Sequence, residues 1–108
     1  MADESVEKNL EVEEEEYKTL GKFGRMRRTY LKEHKPALYN QMLRAGELQD
    51  HLWEVNDTAR EMLKYMMAEM LKRDPAPDKA TNPMGWVGHM NSLQASAEEV
   101  ILAELVYN

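Results

Sequence analysis

Apolar residues recur along most of the chain at intervals of three and four, which is the spacing of an amphipathic α-helix. The clearest stripe fills an arc of less than about 100° on one helix. It consists of Leu48, Leu52, Val55, Ala59, Met62 and Met66. A second stripe consists of Trp86, Met90, Leu93, Ala97 and either Val100 or Ile101. No segment alternates with a period of two for long enough to form a strand, so the pattern predicts an all-α fold.

Prolines and glycines mark the ends of the first two helices. We expect a first helix over residues 22–34, because Pro36 disfavours helical geometry at Lys35. Pro36 itself suits the first position of a short second helix over residues 36–45. Gly46 is placed to end that helix in the left-handed conformation, which glycine adopts without strain.

Two longer helices follow, over residues 47–73 and 83–106. A loop rich in proline separates them, and Asn82-Pro83 supplies an N-cap followed by a first-turn proline. Two helices joined by a short loop favour an antiparallel hairpin. We expect the two short helices to pack on this hairpin through their apolar residues, which are Phe23, Met26, Tyr30, Leu31, Leu38, Tyr39, Met42 and Leu43.

Charge divides the 108 residues into contrasting segments, although the formal net charge is −6. Residues 1–20 contain eight acidic and two basic residues and almost no apolar surface, so they are expected to form a disordered acidic tail. Residues 21–35 contain six basic residues and one acidic residue. The length predicts a single helical domain over residues 21–108.

Composition and motifs exclude several classes of protein. The chain has no cysteine and no apolar run long enough to span a bilayer, and its first residues lack the pattern of a secretory signal. We therefore expect a cytoplasmic protein that does not bind membranes. Phosphate-binding loops, nucleophile elbows and the Glu-x-x-His pairs of di-iron bundles are absent. The sequence predicts no enzyme activity, cofactor, metal site or small-molecule substrate.

Four cations form a row on the predicted first helix, and we call Arg25, Arg28, Lys32 and Lys35 the basic row. Their spacing of three, four and three places them within about 80°, opposite the apolar residues of the same helix. Such a row can contact the phosphate backbone of DNA. A simple solvated face and a docking surface for the acidic tail are the alternatives.

Five carboxylates form a second row on the predicted third helix, and we call Glu47, Asp50, Glu54, Asp57 and Glu61 the acidic row. A solvated face is favoured over metal binding. Because carboxylates repel phosphate, this row argues against a helix-turn-helix that inserts the third helix into DNA. Any contact with a duplex is expected from the first helix.

A few other residues allow two interpretations. Trp53 points roughly 140° from the stripe of its helix, so either a short helix covers it or it forms an oligomer contact; the first is favoured. Met66, Met67 and Met70 form an adaptable apolar surface, a further candidate for protein interaction besides core packing.

Three polar residues also require an interpretation. His51 is expected to pair with Glu47 one turn earlier on the same helix. His89 is expected to be structural, because it lies beside the apolar stripe of the fourth helix. Glu104 lies on the line of that stripe, which indicates either a buried salt bridge or fraying at the end of the chain.

Two groups of short motifs resemble the TnpV family of transposon-encoded proteins. The first group is Gly24, Tyr30-Leu31-Lys32-Glu33-His34, Leu38-Tyr39 and Gly46-Glu47-Leu48 with Leu52. The second is Met84, Trp86-Val87-Gly88, Met90-Asn91, Ala97-Glu98-Glu99-Val100 and Glu104-Leu105-Val106-Tyr107. The resemblance covers about residues 21–108. It implies an origin on a mobile element and an accessory role like that of an excisionase.

Two functions follow as hypotheses. The first is a non-catalytic helper of excision or transposition that contacts DNA at transposon ends through the basic row. The second is a helical interaction module that binds another protein of the element, or a second copy of itself, without contacting DNA. Trp53 and the three methionines are the contact candidates for the second.

Overall fold

The computed structural model describes residues 20–108, and the predicted acidic tail lies outside them apart from its last residue. Four α-helices follow in order: α1 Lys22–His34, α2 Pro36–Ala45, α3 Leu48–Arg73 and α4 Pro83–Ile101. A π-helical segment, Leu102–Val106, continues α4. The described residues contain no strand, so the predicted all-α fold is confirmed.

Local sequence signals end the helices where they were expected. Gly46 has a φ of 72°, and its N–H bonds to the carbonyl oxygen of Leu43 at 3.2 Å. The N–H of Glu47 bonds to Met42 at 2.9 Å, which completes a Schellman motif at the end of α2. At the start of α4, Asn82 Oδ1 accepts a hydrogen bond from the Gly85 N–H at 3.0 Å.

The described residues belong to two compact units that divide within α3, after Asn56. The first unit contains α1, α2 and the beginning of α3. The second contains the rest of α3, the loop, α4 and the π-helical segment. The expectation of a single helical domain stays a prediction.

Apolar side chains from α1, α2 and α3 form the core of the first unit. Its buried members are Leu20, Leu31, Tyr39, Leu48 and Leu52, with Met42 packed against them. The short helices therefore pack on the beginning of α3, as expected. Leu20 belongs to this core although the sequence pattern assigned it to the acidic tail.

Not every apolar residue of the short helices contributes to that core. Leu38 is 37% exposed and Leu43 is 38% exposed, so the prediction that they cover the hairpin is wrong. Both belong to α2, a helix of only ten residues. Tyr39 and Met42 provide its inner side instead.

The start of α1 is capped by a residue distant in sequence. Its N-cap is Gly21, which has no side chain to bond the first N–H groups of the helix. Asn56 Oδ1, on α3, accepts a hydrogen bond from the Gly24 N–H at 3.2 Å. Asn56 is 1% exposed, and a Cβ at Gly21 would lie 2.4 Å from its Oδ1. Glycine at this position thus lets the two helices approach closely.

In the second unit the loop reverses the chain between α3 and α4. His89 Nε2 lies 2.8 Å from the carbonyl oxygen of Asp74, just beyond the end of α3. The Lys79 ammonium group lies 4.5 Å from the centre of the Trp86 ring. These contacts fix the start of α4 against the loop, and they give His89 the expected structural role.

The π-helical segment explains the unexpected position of Glu104. Leu93, Ala97 and Ile101 are buried at intervals of four, and Val106 is buried five residues later. The Tyr107 N–H bonds to the Leu102 carbonyl oxygen at 2.7 Å, an i to i−5 hydrogen bond. The wider turn brings Val106 onto the buried face, and Glu104 is exposed rather than part of a buried salt bridge.

We predict that Asn56→Ala lowers the free energy of unfolding by about 1–3 kcal/mol, because the Gly24 N–H is left buried without an acceptor. Urea unfolding followed by circular dichroism measures this. Asn40→Ala, at an exposed position of α2, is the control and should change stability by less than about 0.5 kcal/mol. Equal stability of the two variants would contradict the capping role of Asn56.

Candidate nucleic-acid interface on the first helix

Two members of the basic row lie on the side of α1 that faces water. Arg25 and Lys32 are exposed, and Arg28 is half-buried. The Lys32 ammonium group lies 5.6 Å from the centre of the Tyr39 ring, so it makes a cation–π contact with α2. The structure thus brings three of the predicted cations together along one helix.

Lys35 departs from the prediction because it lies one residue beyond α1. Its backbone has a φ of −136° and a ψ of 58°, which is not helical. Its N–H still bonds to the Leu31 carbonyl oxygen at 3.0 Å, so the residue follows directly from the last turn. Lys35 is exposed at the junction with α2. Because it is not helical, its spacing from Lys32 does not determine the direction of its side chain.

Arg27, next to Arg28 of the basic row, is a cation that the structure buries. It is 6% exposed, and it lies four residues after Phe23 and four before Leu31, both of which are buried. This i, i+4, i+8 spacing was the signal of an inward position. The guanidinium carbon lies 5.7 Å from the centre of the Tyr30 ring. Burial lowers the pKa of Arg27, although an arginine remains charged at neutral pH.

Arg27 joins α1 to α3 through His51. Its Nε donates a hydrogen bond to His51 Nε2 at 3.3 Å, so that nitrogen carries no proton in the bonded form. The expected interaction of His51 with Glu47 is replaced by this contact between helices. Burial lowers the pKa of His51, the charge of Arg27 lowers it further, and Glu54 has a smaller opposing effect.

The acidic row is exposed along its whole length, as expected for a solvated face. Within the described part of the chain, no group of three or more histidine and carboxylate side chains is arranged to hold a metal ion. The row therefore gives the surface of α3 a negative charge. Such a charge repels phosphate.

The candidates for protein interaction differ in exposure. Trp53 is 37% exposed, so most of its surface is covered, and the expectation that a short helix covers it stays a prediction. Met66, Met67 and Met70 are half-buried. No helix in the described region is long and apolar enough to cross a bilayer.

Because the pKa of His51 is lowered in the folded state, the unfolded chain takes up a proton first as the pH falls below about 6.5. We predict that stability falls between this pH and the folded-state pKa, with a slope of at most about 1.4 kcal/mol per pH unit, and that His51→Gln removes this dependence. Urea unfolding at several pH values between 8 and 5 measures the slope. His34→Gln, at an exposed histidine, is the control. If His51→Gln keeps the wild-type slope, the buried pair does not control it.

The comparisons with known proteins give one match. The sequence matches the family described as transposon-encoded protein TnpV over residues 3–106. The match begins at residue 3, before the first of the motifs, and so includes most of residues 1–20. No curated protein and no solved structure is significantly similar to the chain. A match over nearly the whole length shows that the chain belongs to the TnpV family of transposon-encoded proteins.

Proposed function

We propose that this TnpV protein is a non-catalytic accessory factor of its mobile element that contacts the DNA backbone through the basic row. The family supports the mobile-element context. The observation that carries the DNA contact is the arrangement of α1, which turns its apolar side and Arg27 inward and leaves Arg25 and Lys32 exposed to water, with Arg28 half-buried. Its role is to hold or bend DNA for excision or transposition.

The inner side of α1 fixes the direction of the basic row. Asn56 bonds to the first turn of the helix, His51 bonds to Arg27 in the middle, and Leu31 is fully buried near the end. A helix held at three points presents its cations with little further loss of backbone freedom on binding. Rigid presentation favours affinity because less entropy is lost.

Local charge favours this surface although the whole chain is acidic. Residues 20–56 contain seven basic and four acidic residues, a net charge of +3. Residues 57–108 contain five basic and eight acidic residues, a net charge of −3. Within the described residues, positive net charge is thus confined to residues 20–56, which favours phosphate contact there. Since the net charge of the chain is −6, we expect short-range contact without long-range steering.

The length of the basic row sets the size of the expected salt effect. From Arg25 to Lys35 the chain rises about 15 Å at 1.5 Å per residue, enough for roughly three or four phosphate contacts. Counterion release then gives a slope of about −3 to −4 in a plot of log K against log salt. Affinity should fall by about 50- to 200-fold between 50 and 200 mM salt.

The acidic segment is an internal competitor in this proposal. Four consecutive glutamates, residues 13–16, precede α1 by a few residues. They carry four negative charges in a row, like a short stretch of phosphate backbone. They would compete with DNA for the basic row. Their neutralisation is therefore expected to strengthen DNA binding.

The test is fluorescence anisotropy of a labelled duplex from a transposon end, with the full chain at 50 and 200 mM salt. We predict that replacing Arg25, Arg28, Lys32 and Lys35 together by Gln reduces affinity at least about 30-fold at 50 mM salt, because the phosphate contacts are lost. Replacing the four glutamates at 13–16 by Gln should raise affinity about 3- to 10-fold. Circular dichroism verifies that each variant is folded.

A matched variant separates local contact from net charge. Replacing Arg60, Lys64, Lys72 and Arg73 by Gln removes the same number of charges from exposed positions of the second unit. It should bind DNA like the wild type. Equal losses in the two quadruple variants would show that only net charge matters. Absence of binding by the wild type and the glutamate variant at 50 mM salt would refute the DNA function.

A second candidate function rests on the exposure of Trp53. The exposed part of a tryptophan, 37% here, can contact another protein, and tryptophan is enriched in such interfaces. Trp53 would bind a partner encoded by the same element, and Met66, Met67 and Met70, farther along α3, are separate candidates. Loss of partner binding on Trp53→Ala, with DNA binding unchanged, would support this role.

A further inference from the structure

The outer face of α4 lacks charge over an unusual length. Residues 80–97 include no Asp, Glu, Lys or Arg, although 31% of the chain is charged. Side chains that face water on a surface helix are ordinarily polar and charged. We call the outward residues the α4 face: Met84, Val87, Gly88, Asn91, Ser92 and Ala95, all of them exposed.

Two large apolar side chains on this face are left in water. Met84 is 85% exposed and Val87 is 48% exposed. The charged residues return one turn beyond the face, at Glu98 and Glu99. An apolar surface bordered by charge is typical of a contact site between proteins.

Gly88 supplies an independent observation. The chain has five glycines, and its own structure explains four. Gly46 has a positive φ, and a Cβ at Gly21, Gly24 or Gly85 would lie within 3 Å of a side chain. A Cβ at Gly88 would meet nothing within 4 Å, and its backbone is helical. Glycine destabilises a helix relative to alanine, so the folded chain gives no reason for it there.

Close approach of a second helix gives that reason. Small residues at a helix crossing let two backbones come together, and Gly88 lies among Ser92 and Ala95 on the same face. Met84 and Val87 would then pack beside the crossing. The polar groups of Asn91 and Ser92 include both donors and acceptors, which can bond to the same groups of an identical helix.

We propose that the α4 face binds a second copy of this chain, with α4 against α4 about a two-fold axis. Residues near the two-fold axis of such an interface lie against their own symmetry mates, so a charge at the helix crossing would face a like charge. The chain carries −6 overall, and the α4 face has no charged residue. A partner of a different sequence could pair charges of opposite sign across the contact, and this face offers none.

The size of the face predicts the strength of the dimer. From Met84 to Ala95 it is about 17 Å long at 1.5 Å per residue and about 10 Å wide. The contact would cover roughly 170 Å² on each copy, much less than a stable interface buries, so the dimer is weak. We therefore expect the protein to be monomeric when dilute and to dimerise only when concentrated.

Sedimentation equilibrium of the full chain between 5 and 500 µM tests the proposal. We expect the average mass to rise from monomer to dimer over this range. Gly88→Leu should weaken association at least about 10-fold because it blocks the helix crossing, and Ser92→Glu should do the same by placing like charges together. Asn40→Glu adds the same charge at an exposed position of α2 and should associate like the wild type.

Folding of the variants can be verified separately. Because a side chain at Gly88 has open space around it, Gly88→Leu should unfold at the same or a higher urea concentration than the wild type at 5 µM. A wild type that stays monomeric at 500 µM would overturn the proposal. So would a dimer that persists in folded Gly88→Leu and Ser92→Glu, since it must use another surface.

Discussion

The hydrogen bond between Asn56 and Gly24 is the constraint on which the rest of the first unit depends. A helix that begins at glycine has no side chain of its own to bond its first N–H groups, and a buried N–H without an acceptor is strongly destabilising. Asn56, thirty-two residues away in sequence, supplies that acceptor from α3. The start of α1 is therefore fixed only when the tertiary structure has formed.

This constraint also orients the charged surface. With its first turn held by Asn56 and its middle held by Arg27 against His51, α1 has one possible outer side. Arg25 and Lys32 lie on that side. The position of the basic row follows from what is buried behind it. Because the buried residues Phe23 and Leu31 lie one turn before and one turn after Arg27, α1 cannot rotate so that Arg27 becomes exposed and another arginine becomes buried.

The helices and their ends were predictable from the sequence because the signals that set them are local. Pro36, Gly46 and Asn82 act on their own backbone or on the next turn, so single-residue chemistry was enough to place the boundaries. The burial of Arg27 and Asn56 and the exposure of Trp53 depend on contacts with distant segments. Of these three features, the helical spacing of the sequence indicated only the burial of Arg27. The π-helical segment shifts the register after Ile101, which a constant 100° per residue does not anticipate.

For the candidate site, the members of the basic row and the end of the helix before Lys35 were predictable from the sequence, whereas the contacts behind Arg27 were not. The most direct test of the account is a titration of the isotope-labelled full chain with duplex, followed by amide and arginine side-chain NMR signals. The account predicts that the largest shifts map to residues 25–35, with little change in the acidic row of α3. Shifts centred on α3 or α4, or none at saturating duplex, would contradict it.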